Sequence, residues 1–236
     1  LLELPLALIG IALATVALAK LSNYHALKDT KNFIKTINKA LLIAMILGLP
    51  ACLGLVLYSK ELITTLFQYG EFGINSAIKT SYSLQAYGSG LMAFIAIKIF
   101  APIFLSRGDT KTPVKAGIVA MVSNIILNLI FVQYYGHIGL AAATSLSALL
   151  NASILYFYLI KQSIFKFDSA FYKMVIKVTF AVIIMSSYIL IFDSNFEAYI
   201  DSSITERIML LVKSIAISAS VYFLSLFISG VRVKDL

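Results

Sequence analysis

Seven stretches of the chain are almost continuously apolar, and polar or charged residues bound each of them. The pattern predicts helices over roughly Leu4–Ala19, Ala40–Tyr58, Ser81–Leu105, Val114–Tyr134, Gly139–Ile160, Phe171–Phe192 and Ile208–Ile228. A helix of about 20 apolar residues crosses a hydrocarbon core of about 30 Å. Backbone polar groups in lipid must be satisfied within their own segment, which favours helices. The ten-residue alternation of a transmembrane barrel is not seen. The first stretch is short and reads as a truncated helix. The connection from Lys20 to Lys39 is long enough to hold a short surface helix. No low-complexity linker or internal repeat divides the chain, so the pattern predicts one bundle.

Composition sharpens this reading. Of 236 residues, 60% are hydrophobic and 13% charged, and the mean hydropathy is +0.93. A soluble domain is about 45–50% apolar and about 25% charged, so neither a soluble fold nor a disordered chain fits. The lone Cys52 allows no intrachain disulfide. His25 and His137 have no metal-ligand neighbours in sequence. With no tryptophan, tyrosine and phenylalanine must supply any interfacial belt. The opening Leu1-Leu2-Glu3-Leu4-Pro5 has no initiator Met and no signal pattern, and reads as a cut through a longer protein.

The net charge of +8 is distributed unevenly. Alternate connections place fourteen cations on one side of the membrane: Lys20, Lys28, Lys31, Lys35, Lys39, Arg107, Lys111, Lys115, Lys161, Lys166, Lys173, Lys177, Arg232 and Lys234. The other side holds Lys60, Lys79 and Arg207, together with most of the acids. The positive-inside rule makes the basic side cytoplasmic. This puts the N-terminal end outside and the C-terminus inside. The charge is a topology signal with some attraction to anionic lipid, not a nucleic-acid surface.

A few polar residues interrupt the apolar runs. Glu3 either faces a polar cavity or sits wetted at the outer interface. Lys98 lies about 10 Å from the cytoplasmic end of its span, so it either snorkels or lines a cavity. Lys213 snorkels at the outer end. Asn124 and Asn128 share a helix face, with Thr144 and Asn151 on the next span. Their oxygens suit either a hard cation or interhelical hydrogen bonds. Gly139, Ala143 and Ser147 form a close-packing stripe. Pro50 and Pro102 should kink their spans. In the turn Gly108–Pro113, Thr112 is expected as N-cap and Pro113 as first helical residue. No nucleophile elbow, HExxH helix or paired intramembrane carboxylates occur, which disfavours an enzyme.

Several ordered stretches carry a resemblance: Ile9–Thr15, Leu66–Phe72, Ala86–Leu91, Lys98–Pro102, Ser106–Lys115, Gly139–Ser145 and Asn151–Tyr156. In this order and spacing the chain resembles the second half of the MurJ (MviN) family of bacterial lipid II flippases, within the superfamily of MATE exporters. The match is densest from Glu3 to Tyr156. The resemblance implies an all-α membrane protein whose seven helices form the C-terminal lobe of a fourteen-helix, two-lobed transporter. Residues 1–160 would be the lobe's core of five spans. Residues 161–236 would be the last two spans, with a groove for the lipid tail and a cytoplasmic tail.

The resemblance implies lipid II as substrate, an undecaprenyl-pyrophosphate-linked muropeptide. The N-terminal lobe and membrane lipids would be partners, the bacterial cytoplasmic membrane the location, and peptidoglycan biosynthesis the process. Glu3 falls on an acidic cavity position and Lys98 on a basic one. Asn124, Asn128 and Thr144 fall on positions that hold a monovalent cation in some members, although one of these is an acid where this chain has Asn128. No other cofactor is implied. Rival readings are an exporter of drugs or other polyprenyl-linked sugars, a seven-helix photoreceptor and a non-transporting scaffold. The photoreceptor fails because Lys213 sits near the outer end and no aspartate lies within the first six spans.

Overall fold

The computed structural model describes residues 1–164, 167, 169–193 and 196–231, with backbone alone at Ser169 and Ala170. Lys166, Arg232, Lys234 and the C-terminal tail therefore lie outside the described residues. Ten helices and no strand occur among the described residues. We label them α1 (Glu3–Ala26), α2 (Thr30–Leu57), α3 (Ser59–Phe67), α4 (Ile74–Ser89) and α5 (Leu91–Leu105). They continue as α6 (Lys111–Tyr135), α7 (His137–Lys161), α8 (Ser169–Phe192), α9 (Glu197–Asp201) and α10 (Ile204–Ile228). Seven helical spans are long and apolar enough to cross a membrane, with α4 and α5 together making the third. Each contains or overlaps a stretch predicted from the sequence.

The connection from Lys20 to Lys39, long enough for a short surface helix, holds no separate one. Instead α1 runs on to Ala26 and α2 starts at Thr30. Leu21, Phe33 and Ile37 are buried, while Lys20, Lys31, Lys35 and Lys39 are exposed on the same helical extensions. Apolar burial on one face thus carries each helix past its uncharged run. The cap of α6 also differs from expectation. Asp109 accepts hydrogen bonds from the Thr112 backbone N–H (3.0 Å) and hydroxyl (2.6 Å), the helix starts at Lys111, and Pro113 is its third residue. A carboxylate three residues ahead outcompetes the Thr112 hydroxyl for this role.

Two packing units share α2. The larger core joins α1, α2, α5 and the inner face of α7 around Leu21, Ile37, Ile95, Ile103 and Leu155. The smaller joins α2 to α8 and α10 around Val178, Met185 and Tyr222. Helix α6 packs mainly on α7 and leaves Ile118, Ile125 and Leu129 exposed. The small-residue stripe does what its spacing implies: a Cβ on Gly139 would collide with the Phe131 carbonyl. At the α4–α5 break, a Cβ on Gly90 would overlap the Ser145 backbone, and the Ser145 hydroxyl donates to the Ala86 carbonyl (2.7 Å).

Pro50 sits inside α2 and has no N–H to give to the Ile46 carbonyl. The Tyr222 hydroxyl of α10 donates to that carbonyl instead (2.6 Å). The bond removed by the proline is thereby replaced by one from a neighbouring helix, as polar backbone in lipid requires.

Candidate functional site

Helix α1 winds as a π-helix over Leu6–Ile11, just after Pro5. Such turns add a residue to the winding and recur at functional sites. Glu3 precedes this turn and is exposed. It borders a hollow of about 500 Å³ between the start of α1, α3 and α4. Thr80, Ser83 and Tyr87 of α4 give the opposite wall its polar groups, and the Ser83 hydroxyl has no hydrogen-bond partner. These three were missed in the sequence. Their spacing of three and four along an apolar span was the available signal.

Lys98 is also exposed, on α5. Its stem lies beside Gly10, where an added Cβ would come within 3.5 Å of the Lys98 Cγ. Gly10 is seven residues past Glu3, roughly 10 Å along the helix. The structure therefore places Glu3 and Lys98 along the same α1–α5 wall, at different depths.

Behind the Glu3 hollow lies an apolar groove of about 420 Å³. Leu4 and Pro5 of α1, Pro50 and Leu55 of α2, Met185 of α8 and Phe223 of α10 are among its walls. Leu1 borders both cavities, so the first turn of α1 separates a partly polar chamber from a greasy one.

A polar knot closes the groove at its α3 end. The Tyr58 hydroxyl donates to Asp193 Oδ2 (2.5 Å) and lies 2.5 Å from the Ser218 hydroxyl, and the Ser214 hydroxyl donates to Asp193 Oδ1 (2.8 Å). Glu61, buried one turn along α3, has one carboxylate oxygen without a partner, and burial raises its pKa. Sequence reading missed this knot, because Tyr58 and Asp193 lie 135 residues apart.

Asn124, Asn128 and Thr144 do come together. Asn128 Nδ2 donates to Asn124 Oδ1 (3.0 Å), Asn124 Nδ2 to Thr144 Oγ1 (3.4 Å), and Thr144 Oγ1 to the Leu140 carbonyl (2.9 Å). Asn128 Oδ1 alone is buried without a partner. The other two oxygens already accept hydrogen bonds, and the three side chains carry no formal charge. As folded, these hydrogen bonds tie α6 to α7.

The lipid II flippase MurJ family model matches residues 1–210. The chain belongs to this family. It is 41% identical over its whole length to a probable lipid II flippase MurJ of Vibrio cholerae, covering 45% of that protein. It is 37% identical to one from Haemophilus influenzae, again over the whole chain and 47% of the relative. A lipid II flippase MurJ of Burkholderia cenocepacia is 30% identical over 98% of the chain and 45% of its own length. The chain thus spans about half the length of the MurJ relatives it matches. Family membership and the seven apolar spans make it a multi-pass membrane protein.

Proposed function

We propose that this chain is the C-terminal lobe of a lipid II flippase, moving undecaprenyl-pyrophosphate-linked muropeptide from the inner to the outer leaflet. The observation that carries the reading, in a MurJ-family chain, is the pair of cavities on either side of the first turn of α1. One has a carboxylate and hydroxyls for a sugar-peptide head, and the other is greasy enough for a polyprenyl tail. A charged head cannot cross hydrocarbon unaided, since the desolvation cost is prohibitive. A wet chamber opening alternately to each face carries the head while the tail stays in an apolar groove. The N-terminal lobe supplies the other chamber wall, and the lobes rock as near-rigid bodies. Glu3 and Lys98 contact the head. Residues 1–160 form the chamber wall, and residues 161–236 complete the tail groove. The process needs no covalent step, and none is routed through a cation at Asn124, Asn128 and Thr144.

The N-terminal end of the segment is placed in the periplasm and the Gly108 turn in the cytoplasm, supported by the excess of cations at that end. The test is lipid II translocation in depleted bacteria complemented with the full-length gene. Wild type should restore it. Glu3→Ala should reduce it at unchanged membrane expression, and so should Phe223→Asp, which puts a charge in the groove. Failure of wild type at normal expression, or full activity in both variants, overturns the reading. A cysteine placed at Gly108 should resist impermeant thiol reagents in intact cells and react after permeabilisation.

A further inference from the structure

At the opposite end of the bundle from the Asp193 knot, three helices stop around one hollow of about 320 Å³. The C-terminal turns of α1, α5 and α7 end there, and α2 begins there. Lys28, Arg107 and His25 line the hollow, with Ser163 and Thr30 as further donors. Its one acid, Asp29, is occupied: both carboxylate oxygens accept from Asn32, through the backbone N–H (3.0 Å) and the side-chain amide (2.6 Å). The Arg107 guanidinium is steadied by Gln162 Oε1 (3.3 Å).

The backbone marks the same place. All three helices end in a closing bond from the residue after a left-handed position. Asp29 N donates to the Tyr24 carbonyl, Asp109 N to that of Phe104 and Ile164 N to that of Leu159. Glycine is the usual residue at such a turn, and Gly108 fills it after α5 (φ 77°). The other two positions hold Lys28 (φ 55°) and Ser163 (φ 50°), the only non-glycine residues with positive φ among the described residues. Strained backbone of this kind clusters at ligand clamps. Both side chains line the hollow, so the residues that fit the turn less well are the ones offering an N–H or O–H donor. The helix ends carry partial negative charge, but their closing carbonyls are taken, and the two full charges on Lys28 and Arg107 exceed the one on Asp29.

The floor is apolar, with Phe33 and Ile164. A second hollow of about 460 Å³, lined by Leu41, Phe100, Tyr156, Phe167 and Phe171, lies deeper along α2, α5 and α7. Phe100 is seven residues before Arg107, roughly 10 Å further into the membrane.

We propose that this pair of hollows is a site for an anionic phospholipid, its phosphate on Lys28, Arg107 and His25 and an acyl chain against the aromatic groove. Only the choice of leaflet, the cytoplasmic one, rests on the proposed topology. The test is native mass spectrometry of the full-length protein with phosphatidylglycerol and phosphatidylcholine of equal chain length. Wild type should retain phosphatidylglycerol roughly fivefold better, the equivalent of the one net cation that Lys28 and Arg107 leave over Asp29. Lys28→Gln with Arg107→Gln should abolish that preference, Lys28→Arg should keep it, and Lys35→Gln with Lys115→Gln should leave it intact. Inorganic phosphate should not displace the lipid. No preference in wild type, an equal loss in the Lys35 and Lys115 pair, or displacement by phosphate overturns the proposal. Transport that fails while the preference persists counts against the proposed function and not against this site.

Discussion

The tie between α6 and α7 is made of two amides and a hydroxyl, whereas the one holding α8 and α10 to α2 is built around a carboxylate. Their positions account for the difference. Asn124, Asn128 and Thr144 lie within spans, where a neutral relay avoids placing a charge in hydrocarbon. Asp193 follows the last residue of its span, close enough to water to stay affordable yet bonded on both oxygens. Membrane helices are thus joined by weak neutral links at depth and stronger ionic ones at the rim. Pairwise hydrogen bonds inside membranes average about 0.6 kcal/mol, while those to charged groups contribute about 1.5–3 kcal/mol.

The largest effect should come from Asp193→Ala, which removes the charged acceptor shared by the Tyr58 and Ser214 hydroxyls. A loss of about 3 kcal/mol is expected in reversible unfolding of the full-length protein in detergent. A loss no larger than that of Asn124→Ala would remove the contrast between the ties. Next is Tyr222→Phe, which leaves the Ile46 carbonyl without a donor and should cost about 2 kcal/mol. Adding Pro50→Ala restores an N–H for that carbonyl, so the double variant should recover most of the loss. Asn124→Ala should cost about 0.6 kcal/mol, and at most about 1.7 kcal/mol.

The smallest effect concerns pH. Burial raises the Glu61 pKa above its ordinary 4.5. The folded protein then keeps this proton after the unfolded chain has released it, so stability falls as pH rises from about 4.5 through the raised value. Glu61→Gln should flatten that slope, raising the Tm at neutral pH and leaving it unchanged in acid. An identical pH dependence in the variant would show that Glu61 titrates normally.

Much of this architecture was written locally. Each span is a long apolar run, and period alone brings Asn124 and Asn128 to one face. Helix ends were less legible, because Phe33 and Ile37 extend α2 through a lysine-rich segment by burial that only tertiary packing reveals. Glu3 could be singled out as the lone acid beside its span; Thr80, Ser83 and Tyr87 share a spacing of three and four on α4, but nothing in the chain says that they face Glu3. The Tyr58–Asp193 and Tyr222–Ile46 bonds join residues 135 and 176 positions apart. Neither the π turn after Pro5 nor the left-handed Lys28 has a marker in the residue pattern.

The hydroxyl of Tyr222 acts as a rivet through two plates. Because Pro50 has removed the native fastening of α2 at that level, α2 cannot flex there without either carrying α10 along or shearing the rivet. The greasy cleft between them therefore keeps its width at that level, and whatever lodges in it feels both walls move together.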